Sequence, residues 1–123
     1  MAGINHWREL KVWQKGHQLA LLIYTLSSDF PAHEKFALTS QMRRAVVSVT
    51  SNIVEGFQRR SVRESLNFYN ISSGSLEETR YQLLLAKDLN YLSEPKYKQA
   101  EFLAEEVSKL LHAWSNSQRR NSE

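Results

Sequence analysis

The chain of 123 residues contains no cysteine, which excludes disulfide bonds and thiolate metal sites. It has two prolines and four glycines, and the glycines are too dispersed to form a loop that cradles phosphate. The longest apolar run, residues 19–24, is too short to span a membrane. No basic leader precedes an apolar segment. We therefore expect one cytoplasmic domain, residues 1–123, with no membrane as partner.

The residue patterns of common enzymes are also missing. None of the four histidines lies three positions after an acid, although carboxylate-bridged di-metal bundles need Glu-x-x-His. Serines are plentiful, but no strand–turn–helix elbow accompanies them. We predict that the protein is not an enzyme and that it has no catalytic residue, metal, cofactor or small-molecule substrate. A metal site assembled between subunits is the alternative.

Apolar residues recur at helical spacing in four segments, at about residues 10–28, 38–57, 62–92 and 95–117. Ser61 and Glu64 form a capping box before the third segment, and Ser93 before Pro95 marks the start of the fourth. Short connectors between long helices favour antiparallel neighbours. The pattern predicts an all-α fold, an antiparallel up-down-up-down four-helix bundle.

The second segment carries more apolar surface than one bundle face needs. Thr39 is predicted to cap its N-terminus and Gly56 to end it. One stripe for the core consists of Met42, Val46, Val49, Ile53 and Phe57. A second edge suggests burial on another side. We therefore predict a homo-oligomer whose interface uses Val47, Val54 and, in the third helix, Phe68.

The positive charge is uneven along the chain. Residues 1–60 carry a net charge of +4 and residues 61–123 carry −1. Such clustering attracts phosphates, although a solvated surface or salt bridges between subunits would use the same residues. Arg44 lies in line with Glu55 on one helix, which predicts an ion pair. The candidate nucleic-acid-binding residues are Arg43, Arg59, Arg60, Arg63, Lys11 and Lys15.

A run of small residues in the third segment has more than one interpretation. The run Ser72-Ser73-Gly74-Ser75 lies inside the third helix, where glycine costs about 0.8–1 kcal/mol relative to alanine. Close helix packing, a bend or a small ligand pocket would each account for it.

His17 is predicted to be a partly buried histidine on the core side of the first helix.

The segment RRAVVSVTSNIVEG resembles the four-helix-bundle proteins encoded in intervening sequences of bacterial large-subunit ribosomal RNA genes. LKVWQKGHQLALLIY, FPAHEKFALTSQMRRA and SVRESLNFYNISSGSLEETRYQLLLAKDLNYLS extend this resemblance over residues 7–115. The accessory variability proteins of diversity-generating retroelements are similar but more distant. The resemblance implies a homopentamer, with RNA or a nucleoprotein as its partner.

We therefore predict a non-enzymatic, homo-oligomeric binding or scaffold module that binds RNA or a nucleoprotein through basic residues. The alternative is a structural or protein–protein interaction module whose arginines serve only assembly. A helix-turn-helix DNA reader is disfavoured, because the helices flanking the turn at residues 56–60 are too long for that compact unit.

Overall fold

The computed structural model describes residues 3–121, so the ends of the predicted domain, residues 1, 2, 122 and 123, lie outside the described residues. Within residues 3–121 the chain is all-helical and has no strand. The four long helices are α1 (Lys11–Ser27), α2 (Leu38–Phe57), α3 (Val62–Asp88) and α4 (Glu94–Asn121), with short 3₁₀ turns at Trp7–Glu9 and Ala32–Glu34. This arrangement is consistent with the predicted four-helix bundle.

The core lies between the four helices, because α2 and α4 each pack against both α1 and α3. The predicted stripe on α2 is confirmed for Met42, Val46, Val49 and Ile53, which are fully buried, while Phe57 is half-buried. Burying a side chain of this size contributes about 1.5–3 kcal/mol. A regular apolar stripe is therefore enough to fix which side of α2 faces inward.

The prediction that Thr39 caps α2 is wrong. The helix begins at Leu38, its N-cap residue Ala37 offers no side-chain hydrogen bond, and Thr39 is buried inside the first turn. The Glu34 carboxylate accepts a hydrogen bond from the Leu38 amide (3.3 Å) instead. It also accepts one from the Tyr91 hydroxyl (2.8 Å). A residue of the preceding 3₁₀ turn thus caps α2 and ties the α1–α2 connection to the α3–α4 connection.

Gly56 does not end α2, which continues to Phe57. A Cβ at Gly56 would lie 2.8 Å from Cδ1 of Tyr69 and closer still to Cε1, so the glycine is needed for the approach of α3. Ser65 and Ser72 donate hydrogen bonds of 2.7 Å to the carbonyls of Gly56 and Val49. These contacts make a close α2–α3 seam lined with small polar residues.

The predicted cap of α3 is confirmed, since the Ser61 hydroxyl accepts a hydrogen bond from the Glu64 amide at 3.1 Å. The predicted end of α3 at residue 92 is too late, because the helix ends at Asp88. Asn90 adopts a left-handed conformation (φ 66°), and the Tyr91 amide donates to the Ala86 carbonyl (2.8 Å). This is a Schellman ending with asparagine in the glycine position.

The fourth helix starts where the sequence predicts and ends later. Ser93 Oγ accepts a hydrogen bond from the Lys96 amide at 3.4 Å, as expected for a cap. The helix runs on to Asn121 instead of ending near residue 117. This extension places the last two turns of α4 beside the N-terminal segment of the chain, where Ile4 and Ser117 line one cleft.

Only part of the small-residue run in α3 packs against another helix. Ser72 is fully buried against α2, and the hydroxyls of Ser75 and Ser48 are 2.8 Å apart. Gly74 is exposed, and no heavy atom lies within 4 Å of a Cβ built on it. Close helix packing therefore accounts for Ser72 and Ser75 but not for Gly74.

Two of the helical glycines, Gly56 and Gly74, should respond oppositely to alanine. We expect Gly56→Ala to destabilise the protein strongly, because the new methyl group would collide with the buried Tyr69 ring. Gly74→Ala should stabilise it by about 0.8–1 kcal/mol through helix propensity alone. Urea unfolding of both variants measures the difference. A Gly56→Ala protein as stable as the parent would contradict the close approach of α3.

The cap on α2 predicts a pH-dependent stability. Two hydrogen bonds hold the pKa of the Glu34 carboxyl below its ordinary value of 4.5. The hydrogen bond from the Tyr91 hydroxyl has the larger effect, and that from the Leu38 amide has the smaller one. The ionised Glu34 carboxylate therefore stabilises the folded protein fully when the pH is above the ordinary pKa. This stabilisation is lost as the pH falls through the lowered pKa of the folded protein. Glu34→Gln should therefore lower the melting temperature at pH 7, and this difference should shrink as the pH falls through the lowered pKa of Glu34. A pH-independent difference would contradict the cap.

Candidate nucleic-acid interface

Three stretches that are distant in sequence lie together at one end of the helices. One cleft is lined by Ile4 of the N-terminal segment, by Arg60 of the α2–α3 connection and by Gln118 of α4. We call residues 3–11, 55–64 and 114–121 the basic end. It holds seven Lys/Arg side chains against three carboxylates. The cations are Arg8, Lys11, Arg59, Arg60, Arg63, Arg119 and Arg120, and the acids are Glu9, Glu55 and Glu64.

The other end of the helices has no comparable excess of charge. There the α1–α2 connection meets the α3–α4 connection through the Glu34–Tyr91 hydrogen bond. Residues 28–38 and 87–98 together hold four lysines and four carboxylates. The excess of positive charge is therefore larger at the basic end than at the other end, and such an excess favours the approach of polyanions.

The cations of the basic end differ in how they are engaged. Arg59 pairs with Glu55, with 3.1 Å between Nη2 and Oε2, and its guanidinium lies 5.2 Å from the centre of the Phe68 ring. Lys11, Arg60 and Arg63 are exposed, and within residues 3–121 their side chains form no hydrogen bond or ion pair. These three charges are available to an outside partner.

The predicted Arg44–Glu55 ion pair is wrong, because Glu55 pairs with Arg59. Arg44 and Glu55 do lie on one side of α2, but they are eleven positions apart in the sequence. At 1.5 Å per residue this is about 16 Å along the helix axis, beyond the reach of both side chains. Arg59 lies four residues after Glu55, which is the spacing at which helical side chains meet.

Two other candidates are used inside the protomer. Arg43 donates from Nε to Ser27 Oγ (2.9 Å) and from Nη2 to the Tyr24 carbonyl (3.2 Å). A cation at this place satisfies the last carbonyls of α1 and complements its dipole. Lys15 pairs with Glu106 of α4 at 3.6 Å. Nucleic-acid binding by these two residues stays a prediction. Both side chains already form contacts between helices of the protomer.

Sequence reasoning missed the strongest ion-pair network. Arg80 of α3 places Nη2 2.6 Å from Glu101 and 2.8 Å from Glu105 of α4, and Nη1 3.1 Å from Glu77. The hydrogen bond to Glu101 is the main reason that the pKa of the guanidinium lies above its ordinary value. The acids follow one another at helical spacing on α4, but only the packing of α3 on α4 reveals the arginine they share.

The predicted interface residues lie on or near the surface. Val47 is 41 % exposed, while Val54 and Phe68 are half-buried. Val47 lines a groove of about 650 Å³ beside Phe36, which is 89 % exposed and was missed by the sequence reasoning. The groove also contains Lys35, Arg43 and Arg44. The exposed Phe36 and Val47 therefore place apolar surface beside three cations in this groove.

The prediction that His17 is partly buried is wrong. It is exposed, and its ring stacks on Trp13 with 5.0 Å between ring centres. Within residues 3–121 no group of three acids or histidines is arranged to hold a metal ion. Among the same residues, no helix is both long enough and apolar enough to cross a membrane.

The fold and the basic end define an all-helical protein with four long helices and one end that carries an excess of positive charge. The chain belongs to the 23S rRNA-intervening sequence protein family, whose profile matches residues 8–113. A crystal structure from Bacteroides thetaiotaomicron, of a protein of unknown function in the S23 ribosomal protein family, is similar to it. The TM-score is 0.78 at 28 % identity, covering 85 % of this chain and 97 % of that one. No curated protein matches this chain.

Proposed function

We propose that the protein is a non-enzymatic, cytoplasmic RNA-binding module that forms a homo-oligomer and binds RNA through its basic end. The observation that carries this proposal is the gathering of seven cations against three carboxylates, with Lys11, Arg60 and Arg63 unpaired among the described residues. The name of the family associates it with intervening sequences of 23S rRNA, which favours RNA over other polyanions.

The proposal includes an antiparallel course for neighbouring helices, and four contacts support it. Arg43 near the start of α2 reaches Ser27 at the end of α1, and Gly56 near the end of α2 meets Ser65 near the start of α3. Tyr69 early in α3 meets Trp114 late in α4. Lys11 at the start of α1 lies beside Ser117 late in α4, since both line one cleft. An up-and-down path brings both chain ends to the α2–α3 connection.

Electrostatics gives the mechanism of binding. Each phosphate that a cation neutralises releases condensed counterions from RNA, so basic residues contribute affinity without reading sequence. Arginine suits this role because its planar guanidinium donates two parallel hydrogen bonds to a phosphate. An oligomer would present the basic end several times and raise the effective concentration of sites along one RNA. The family resemblance favours five copies.

The second candidate is a protein-interaction scaffold that binds no nucleic acid. It is favoured by the internal use of Arg43, Lys15, Arg59 and Arg80, which shows that much of the positive charge stabilises the protomer itself. The two proposals differ over the basic end. The scaffold needs no function for Arg60 and Arg63, whereas the RNA-binding module depends on them.

Reversing the charge of the basic end tests RNA binding. We expect Arg59→Glu/Arg60→Glu/Arg63→Glu to abolish binding of single-stranded RNA, measured by fluorescence anisotropy at low salt. For the parent protein, the affinity should fall with salt at a log–log slope of about −0.7 per phosphate neutralised.

The matched control is Lys35→Glu/Lys96→Glu/Lys98→Glu, which changes the net charge equally at the other end of the helices. It should retain most of the affinity. If both triple variants lose binding equally, overall charge and not the basic end attracts RNA. If the parent protein binds no RNA at low salt, the scaffold is the better account.

Self-association is tested at Val47. Val47→Glu should dissociate the oligomer and leave its helical content unchanged, because a charge buried without a partner in an interface is costly, while Val47 is 41 % exposed in the single chain. Light scattering measures the mass and circular dichroism the helicity. Val46→Glu is the control, since Val46 is fully buried and its variant should unfold. A parent protein with the mass of one chain would eliminate the oligomer.

A further inference from the structure

The cleft at the basic end has the size and lining of a small-ligand site. Its volume is about 470 Å³, inside the range of roughly 300–1,000 Å³ that is usual for ligand pockets. Its apolar side is formed by Ile4, Phe57, Tyr69 and Trp114, and its polar side by Arg60, Ser61, Gln118 and Asn121. An apolar side and a cationic side within one cleft match a ligand that is part aromatic and part anionic.

The apolar side of the cleft is held rigidly. Tyr69 is 2 % exposed, sits in the space left by Gly56 and meets the Trp114 ring edge-on, with 6.5 Å between ring centres. Burial raises the pKa of the Tyr69 hydroxyl, and the nearby indole partly opposes this rise. The two groups do not reach hydrogen-bond geometry, so the buried Trp114 Nε1–H has no acceptor among the described residues. Buried donors of this kind are usually satisfied.

The polar side of the cleft offers groups that the protomer leaves unused. Arg60 makes no hydrogen bond or ion pair with residues 3–121, so its guanidinium is available for a phosphate. Gln118 donates from Nε2 to Ser117 Oγ at 3.3 Å and leaves its amide oxygen as an acceptor. Neighbouring Arg59 is held by Glu55 and adds positive potential. A phosphate at Arg60 would therefore lie next to an apolar slot.

We infer that this cleft binds one unpaired nucleotide of an RNA strand, with the base against Trp114 and Ile4 and the phosphate at Arg60. The inference rests on the proposed RNA-binding function and narrows it to single-stranded RNA. Paired bases keep their faces stacked inside a helix, whereas an unpaired base exposes a face that aromatic side chains bind. Purely electrostatic attraction would not distinguish a strand that carries bases from one that lacks them.

Tryptophan fluorescence reports on the cleft directly. In the variant Trp7→Phe/Trp13→Phe, Trp114 is the only tryptophan. The probes are a short single-stranded oligoadenylate and a strand of the same length and phosphate count whose sugars carry no base. The base-carrying strand should quench Trp114 and bind about 5- to 150-fold more tightly, as expected for one stacked base.

A carboxylate placed in the cleft gives the matched comparison. Ile4→Glu should remove the preference for the base-carrying strand, because Ile4 is 43 % exposed and lines the slot. Ile71→Glu is the control at an exposed isoleucine of α3, 51 % exposed, and should keep the preference. Circular dichroism and light scattering on both variants confirm equal helicity and assembly.

The outcomes separate this inference from the proposed function. Equal binding of both strands without quenching would overturn the nucleotide cleft and leave electrostatic RNA binding intact. If neither strand binds at low salt, adenosine monophosphate and inorganic phosphate are titrated at millimolar concentration. Quenching by the nucleotide alone would support the cleft and eliminate RNA strands as its ligand. No quenching by either would overturn both proposals. Quenching by an acidic peptide alone would assign the cleft to a protein partner.

Discussion

The close approach of α2 and α3 is the constraint on which the other features depend. Gly56 leaves the space that the Tyr69 ring fills, and the hydroxyls of Ser65 and Ser72 bind carbonyls of α2 across the seam. A larger residue at Gly56 would push α3 outward and move the α2–α3 connection that carries Arg59 and Arg60. The same contact sets the Tyr69 ring under Trp114. Packing of small residues at one seam thus positions both the core and the basic end.

The sequence predicted the helices well where one local rule decides the structure. Periodic burial along α2 and the Ser61 cap of α3 follow from spacing alone. The predictions failed where contacts between residues distant in the sequence determine where a helix begins or ends. Glu34 caps α2 from a preceding turn while Tyr91 holds it from another connection, so Thr39 is not needed. The left-handed Asn90 ends α3 four residues early and turns the chain toward that same contact.

The candidate site shows the same division between local and distant effects. The Arg59–Glu55 pair obeys the four-residue helical spacing, whereas Arg43 binds the end of α1 through a contact that spacing within α2 does not show. Arg8 and Arg120 belong to the basic end but come from opposite ends of the chain. The predicted up-and-down path already implied that the chain ends lie beside the α2–α3 connection. Applying that path to the charges would have revealed the basic end from sequence.

A net charge of +3 therefore understates the attraction that this protein offers to a polyanion. At physiological ionic strength charges are screened beyond about 8 Å, so a phosphate responds to the charges nearest to it and not to the total. The basic end carries an excess of four positive charges, while the remaining described residues balance one another. Arg80 shows how the rest is neutralised, since three carboxylates surround it. Cations that are paired inside the protomer stabilise the fold, whereas Lys11, Arg60 and Arg63 of the basic end have no partner among the described residues and are available to another molecule.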